Sequence, residues 1–160
     1  MVEKNKNLLI KIIFLVSIIA LVSAFFIEYI LGHQPCNLCV LERIPYLLAI
    51  IVVLLNYKFI QFEKFFILLL TIIFLAGTAL SLYHLGIEQG FIQESLVCDL
   101  KSGSNLLSKE EILKQLKEKS ISCKDVTFKI FGLSLTSYNI LISLLITIGV
   151  GKIYFNYDKN

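Results

Sequence analysis

The residues best equipped for chemistry lie in one short stretch, Pro35-Cys36-Asn37-Leu38-Cys39-Val40-Leu41-Glu42-Arg43-Ile44-Pro45. Thiols at C-x-x-C spacing close into a small ring. Its disulfide is more readily reduced than a structural bridge, which suits electron exchange. Asn37 is the expected N-cap of the helix that follows, with Leu38, Cys39 and Val40 in its first turn. A thiolate there gains from unpaired backbone N–H groups and from the positive end of the helix dipole. Arg43 follows Cys39 by one helical turn. Its fixed charge would favour the thiolate, or a reduced oxygen on a bound acceptor. Two plainer readings stand beside this one. A C-x-x-C is also half of a zinc site, but there is no second C-x-x-C, and His33 and His84 are poorly spaced for a fourfold site, so no metal is expected. An Arg at a helix end also commonly snorkels to a membrane interface.

The rest of the chain must hold these side chains in place, and its composition says where. Of 160 residues, 57% are hydrophobic and 17% charged, and the mean hydropathy is +0.81. That is too apolar for a water-soluble domain of this length, and the charges cluster so that long runs carry none. The chain reads as a single integral membrane domain over residues 1–160. A formal net charge of +3, with lysines at segment ends and in one loop, makes no basic stripe for nucleic acid.

Four apolar runs are long enough to cross a bilayer, at about 8–29, 40–57, 65–84 and 130–151. The first is preceded by Lys4 and Lys6 but is too long for a signal-peptide core and lacks a cleavage pattern, so it reads as an uncleaved span. The second is apolar only from Ile44 to Leu55, about 18 Å of helix. It crosses only if extended back to Val40, which places Cys36, Cys39, Glu42 and Arg43 at the membrane surface. Pro45 near its start would release the Leu41 carbonyl and bend the entry. Gly77 and Ala79 in the third run would let a neighbouring helix approach closely.

Four spans put both termini on one side and the loops at about 30–39 and 85–129 on the other. All four cysteines fall in those two loops. Cysteines used as small apolar residues would be scattered through the spans. In the second loop, Ser108-Lys109-Glu110-Glu111 is a capping box opening a short amphipathic helix that ends near Lys119, either lying on the membrane or solvated. Seven lysines in this loop leave the positive-inside rule undecided, so orientation rests on redox logic, since disulfides belong on the oxidising face. Cys98 and Cys123 read either as a staple, contributing about 3.5 kcal/mol by loop-closure entropy, or as the distal half of an electron relay. In the relay the distal pair meets a soluble protein and the membrane pair meets a lipid-soluble acceptor.

Taken together, the order of four spans, Cys36-x-x-Cys39 followed by Glu42-Arg43, and the two loop cysteines resemble the bacterial disulfide bond formation protein B (DsbB) family. Tyr83-His84-x-Gly86-x-Glu88 and Phe131-Gly132-Leu133-Ser134 are similar to it as well. The family's loop tryptophans are absent. The resemblance implies an all-α, four-transmembrane-helix bundle in the bacterial inner membrane with cytoplasmic termini and both cysteine loops periplasmic. It implies redox-active disulfides Cys36–Cys39 and Cys98–Cys123, with a DsbA-like thioredoxin-fold partner attacking Cys98, and Cys123 taking part in resolving the mixed disulfide and in passing electrons to the first pair. Cys39 and Arg43, and His84 near them, would contact a quinone cofactor, either ubiquinone or menaquinone. Soluble oxidases of that system are established near −120 mV, so a disulfide pool near −180 mV would reoxidise them only about 2.8 kcal/mol uphill, and a stronger oxidant must be coupled.

Two rivals remain. A non-enzymatic four-helix scaffold would hold two static disulfides. A vitamin K epoxide reductase-like quinone/thiol oxidoreductase also has four cysteines, but its C-x-x-C normally comes late in the chain. A transporter is disfavoured because no span centre carries a charge.

Overall fold

The computed structural model describes residues 2–93, 123–124, 129–130 and 132–157. Cys98 and the expected helix at 108–119 lie outside the described residues. Helix α1 runs Val2–Tyr29, α2 Asn37–Leu41, α3 Ile44–Lys58, α4 Glu63–Glu88 and α5 Leu135–Tyr157. A 3₁₀ turn at Ile60–Phe62 joins α3 to α4, and a two-residue antiparallel ladder, β1 Lys129–Ile130 with β2 Leu133–Ser134, precedes α5.

Among the described residues, four segments are long and apolar enough to cross a membrane: Lys6–Tyr29, Asn37–Lys58, Ile60–Glu88 and Leu135–Asn156. The expected all-α, four-helix membrane architecture is therefore the one observed. Its outer surface is aliphatic, with Leu15, Val22, Leu54, Leu75 and Leu145 all exposed. Water would penalise that surface, and hydrocarbon does not. Inside, Ile13, Ala49, Val53, Ile67, Leu70 and Phe74 form the packed centre.

Two boundaries differ from the sequence expectation. The fourth helix begins at Leu135 rather than about residue 130, because Gly132 adopts φ +83° in the tight turn between β1 and β2, which a continuing helix forbids. The second span begins at Asn37 and is broken at Glu42–Arg43. Pro45 stands in the first turn of α3, where it has no N–H to offer the Leu41 carbonyl. Opposite it, a Cβ on Gly77 would lie 3.1 Å from Pro45 Cγ, so the glycine is what lets α4 approach the kink.

Helices α1, α3, α4 and α5 contact one another in that order, with α4–α5 the most extensive pair and the α5–α1 seam the loosest. Ion pairs tie α1 to the bundle at both ends. Lys6 Nζ meets Glu63 Oε2 at 2.7 Å, and Arg43 Nη1 meets Glu28 Oε2 at 2.5 Å. Thr71, Thr78, Ser81 and Thr147 donate their hydroxyl protons to the carbonyl one turn back, as Thr78 does to Phe74 and Ser81 to Gly77.

Candidate active site

Cys36 and Cys39 are free thiols with Sγ atoms 2.8 Å apart. The residue that caps α2 is Cys36, not Asn37. Its backbone is extended, and its Sγ accepts from the Cys39 N–H at 3.3 Å. The correction has a simple cause. Helical dihedrals begin one residue earlier than expected, so the sulfur takes the position that a capping oxygen would hold. Cys36 immediately precedes the second span, and its thiol is lowered to about 5. The largest cause is the hydrogen bond from the Cys39 thiol. Burial opposes it, and the hydrogen bond and charge of His84 and the Cys39 backbone N–H add to it.

His84 stands behind this thiol, 1% exposed. Its Nε2 is 3.5 Å from Cys36 Sγ, and its Nδ1 is 2.8 Å from Glu42 Oε1. With Nδ1–H donated to the carboxylate, Nε2 is the atom that shares a proton with the sulfur. Glu42 is itself buried, and its Oε2 accepts from Asn139 Nδ2 at 3.0 Å. Asn139 also donates to Ser81 Oγ at 2.8 Å and accepts from the Tyr46 hydroxyl, so both ends of its amide are bound. Thr136 Oγ1 lies 3.2 Å from His84 Nδ1 and donates to Glu88 Oε1 at 2.7 Å. A buried carboxylate in hydrocarbon is costly unless compensated, and here α4 and α5 both supply partners for it.

On the other side of Cys39 lies a cavity of about 680 Å³ in the loose α1–α5 seam. Its wall is mostly aliphatic, from Leu9 to Ile27 on α1 and from Leu135 to Ile146 on α5. Its polar lining gathers Cys39, Glu42, Arg43 and Asn139. Arg43 is the N-cap of α3, beyond the break, so it does not continue the α2 helix from Cys39. Its guanidinium reaches across to α1, pairing with Glu28 and lying 5.1 Å from the centre of the Phe25 ring. Glu28 takes one of five donors, and the residue still lines the cavity. His84 does not line it and is directed to Cys36 instead.

Cys123 is disulfide-bonded and 3% exposed. It packs in one buried cluster with Cys36, Leu38 and Ile87, so the second loop brings its cysteine to the same end of the bundle as the dithiol.

Comparison with known proteins places this arrangement. The family model for "Disulfide bond formation protein DsbB" matches residues 6–152. The chain belongs to the DsbB family. It is also 34% identical to "Uncharacterized protein RP370" of Rickettsia prowazekii (strain Madrid E), over 99% of this chain and 94% of that protein. No solved structure matches the chain. As a DsbB-family member it is a multi-pass membrane protein of disulfide-bond formation.

Of the six residues that the sequence singles out, this DsbB-family fold brings Cys36, Cys39 and His84 into contact, lines one cavity with Cys39 and Arg43, and packs Cys123 beside Cys36, while Cys98 lies outside the described residues. The sequence marks Glu42 only as an interfacial charge, Glu28 only as the end of the first span and Glu88 only within a family-like stretch, and gives no direct sign of Tyr46, Thr136 and Asn139. A signal is present in two polar stripes at three- to four-residue spacing, Thr78-Ser81-His84-Glu88 and Thr136-Asn139-Ser143, in otherwise aliphatic helices.

Proposed function

We propose that this protein is a thiol:quinone oxidoreductase that reoxidises a DsbA-like thioredoxin-fold oxidase in the bacterial periplasm and delivers the electrons to membrane quinone. One observation carries the reading. The same dithiol presents Cys39 to a lipid-level cavity and Cys36 to an acid–base pair, while Cys123 packs beside it.

The residues at hand fit a quinone. An aliphatic groove about 27 Å long, counted along α1, suits an isoprenoid tail, and Arg43, with donors beyond the one Glu28 takes, offers N–H groups for a ring oxygen. When bound, the quinone supplies the two-electron oxidising power that thiol exchange lacks. The chain's own residues then do the following. The partner's thiolate attacks Cys98 of the Cys98–Cys123 disulfide, and the partner's second thiol displaces the mixed disulfide, leaving Cys98 and Cys123 reduced. These reduce Cys36–Cys39 by the same exchange. Before closure the Cys36 proton already rests on His84 Nε2, and Glu42, fixed on Nδ1, stabilises that cation. As Cys36 and Cys39 rejoin, two electrons leave for the acceptor, and the Cys39 proton and the proton held by His84 follow them there. Arg43 holds positive charge at the cavity where negative charge develops.

Both cysteine pairs belong on the periplasmic face, with the termini cytoplasmic, because only the oxidising side sustains the exchange. The test is direct. Reduced protein in detergent is mixed with a short-chain quinone under anaerobic conditions, and quinone absorbance and free thiols are followed together. One quinone consumed per Cys36–Cys39 pair closed is expected. Thiols that persist while quinone is unconsumed would reject the reading.

A further inference from the structure

We infer that the reduced dithiol and His84 form a binding site for a thiophilic divalent cation such as Zn²⁺, and that a bound ion holds the protein in its reduced state. The inference does not depend on what oxidises the dithiol. Cys36 Sγ, Cys39 Sγ and His84 Nε2 all lie within 4.8 Å of one another. Tetrahedral bonds of about 2.3 Å to sulfur and 2.0 Å to nitrogen place a sulfur and a nitrogen ligand about 3.5 Å apart, and two sulfurs about 3.8 Å apart. Cys36 Sγ and His84 Nε2 already stand at 3.5 Å. The sulfurs, at 2.8 Å, need to open by about 1 Å, within reach of a small side-chain rotation.

The surroundings are those of a ligating histidine. Glu42 Oε1 on Nδ1 at 2.8 Å fixes the tautomer that turns the Nε2 lone pair toward the sulfurs, which is the usual carboxylate–histidine–metal arrangement. Glu88 Oε1, 3.8 Å from Nε2, brings a second carboxylate close to where the cation would sit. Separation in sequence hides this site, because the His84 ligand comes from a different helix 48 residues from Cys36.

Binding exchanges protons for metal. One divalent ion joins two thiolates, and the protons those thiols still carry leave to solvent, with no change of oxidation state. A closed Cys36–Cys39 disulfide has no thiolate to offer. Metal capture and disulfide closure therefore exclude one another, and the ion acts as a competitor of reoxidation.

The experiment uses full-length protein with Cys98→Ser and Cys123→Ser, reduced, freed of reductant and titrated with Cd²⁺ while the thiolate-to-metal charge-transfer band is recorded. One ion per chain is expected. The band should vanish on prior oxidation or with Cys36→Ser or Cys39→Ser, and affinity should fall at least about tenfold in Glu42→Gln. A reduced protein without the band would overturn the site. X-ray absorption of the Zn²⁺-loaded chain, with His84 unaltered, decides the third ligand. Two sulfurs and at least one nitrogen are expected, and a shell of sulfur and oxygen alone would overturn the role of His84.

Discussion

Glu42 Oε1 lies 2.8 Å from His84 Nδ1, and the other nitrogen of the same ring lies 3.5 Å from Cys36 Sγ. The Cys36 thiol, held near 5, is thereby linked to a carboxylate on the far side of an imidazole. Because this acid is depressed in the folded protein, its contribution to folded-state stability is fully present above the ordinary thiol range. It is lost as pH falls through about 5. Alkylation of the reduced site, with chelator present, should rise with a midpoint near 5. His84→Gln should move that midpoint up by on the order of one unit, or about 1.4 kcal/mol. An unmoved profile would detach His84 from the thiol.

Arg43 contributes at the cavity rather than at the thiol. Replacing it by Ala removes the guanidinium that lines the seam and leaves Glu28 without the cation now 2.5 Å away. The apparent KM for quinone should rise about tenfold, equivalent to about 1.4 kcal/mol, with a smaller effect on kcat. Glu28→Gln keeps the cation and should raise KM less. Equal KM values in Arg43→Ala and unaltered protein would remove Arg43 from the site.

The two cysteine pairs should be separable. Cys98→Ser or Cys123→Ser should stop oxidation of the thioredoxin-fold partner while leaving Cys36 and Cys39 oxidisable by quinone. Cys36→Ser or Cys39→Ser should stop quinone reduction. Full turnover of the partner by the Cys98→Ser variant would contradict the relay.

Gly77 tests the fold beneath the site. Pro45 Cγ lies 3.1 Å from where a Cβ would stand, at the kink that sets Glu42 and Arg43. Gly77→Leu should destabilise the bundle by about 1–3 kcal/mol through overpacking, read as a lower thermal midpoint in detergent. An unchanged midpoint would mean that α3 and α4 separate without cost.

Much of this is legible in the residues themselves. Apolar runs broken by charge mark four spans because hydrocarbon tolerates little else, and C-x-x-C beside Glu-Arg marks the dithiol. What escapes such a reading is rotational. Glu42, His84 and Asn139 meet only because the break between α2 and α3 and the helices α4 and α5 turn particular faces inward, over separations of 42 and 97 residues. No single run encodes that rotation, although the stripes through Ser81-His84 and Thr136-Asn139 narrow it. The N-cap at Cys36 and the late start of α5 at Leu135 depend on single backbone dihedrals, at Cys36 and Gly132, which composition does not resolve.

Oxidation of the Cys36–Cys39 dithiol by membrane quinone, the reaction proposed above, is tested by thiol labelling in intact membranes of the Cys98→Ser, Cys123→Ser protein, with the quinone pool kept oxidised by respiration or left reduced by blocking it. Both thiols should resist alkylation when the pool is oxidised and become fully alkylated when it is reduced. Labelling that is the same in both conditions would contradict the proposal.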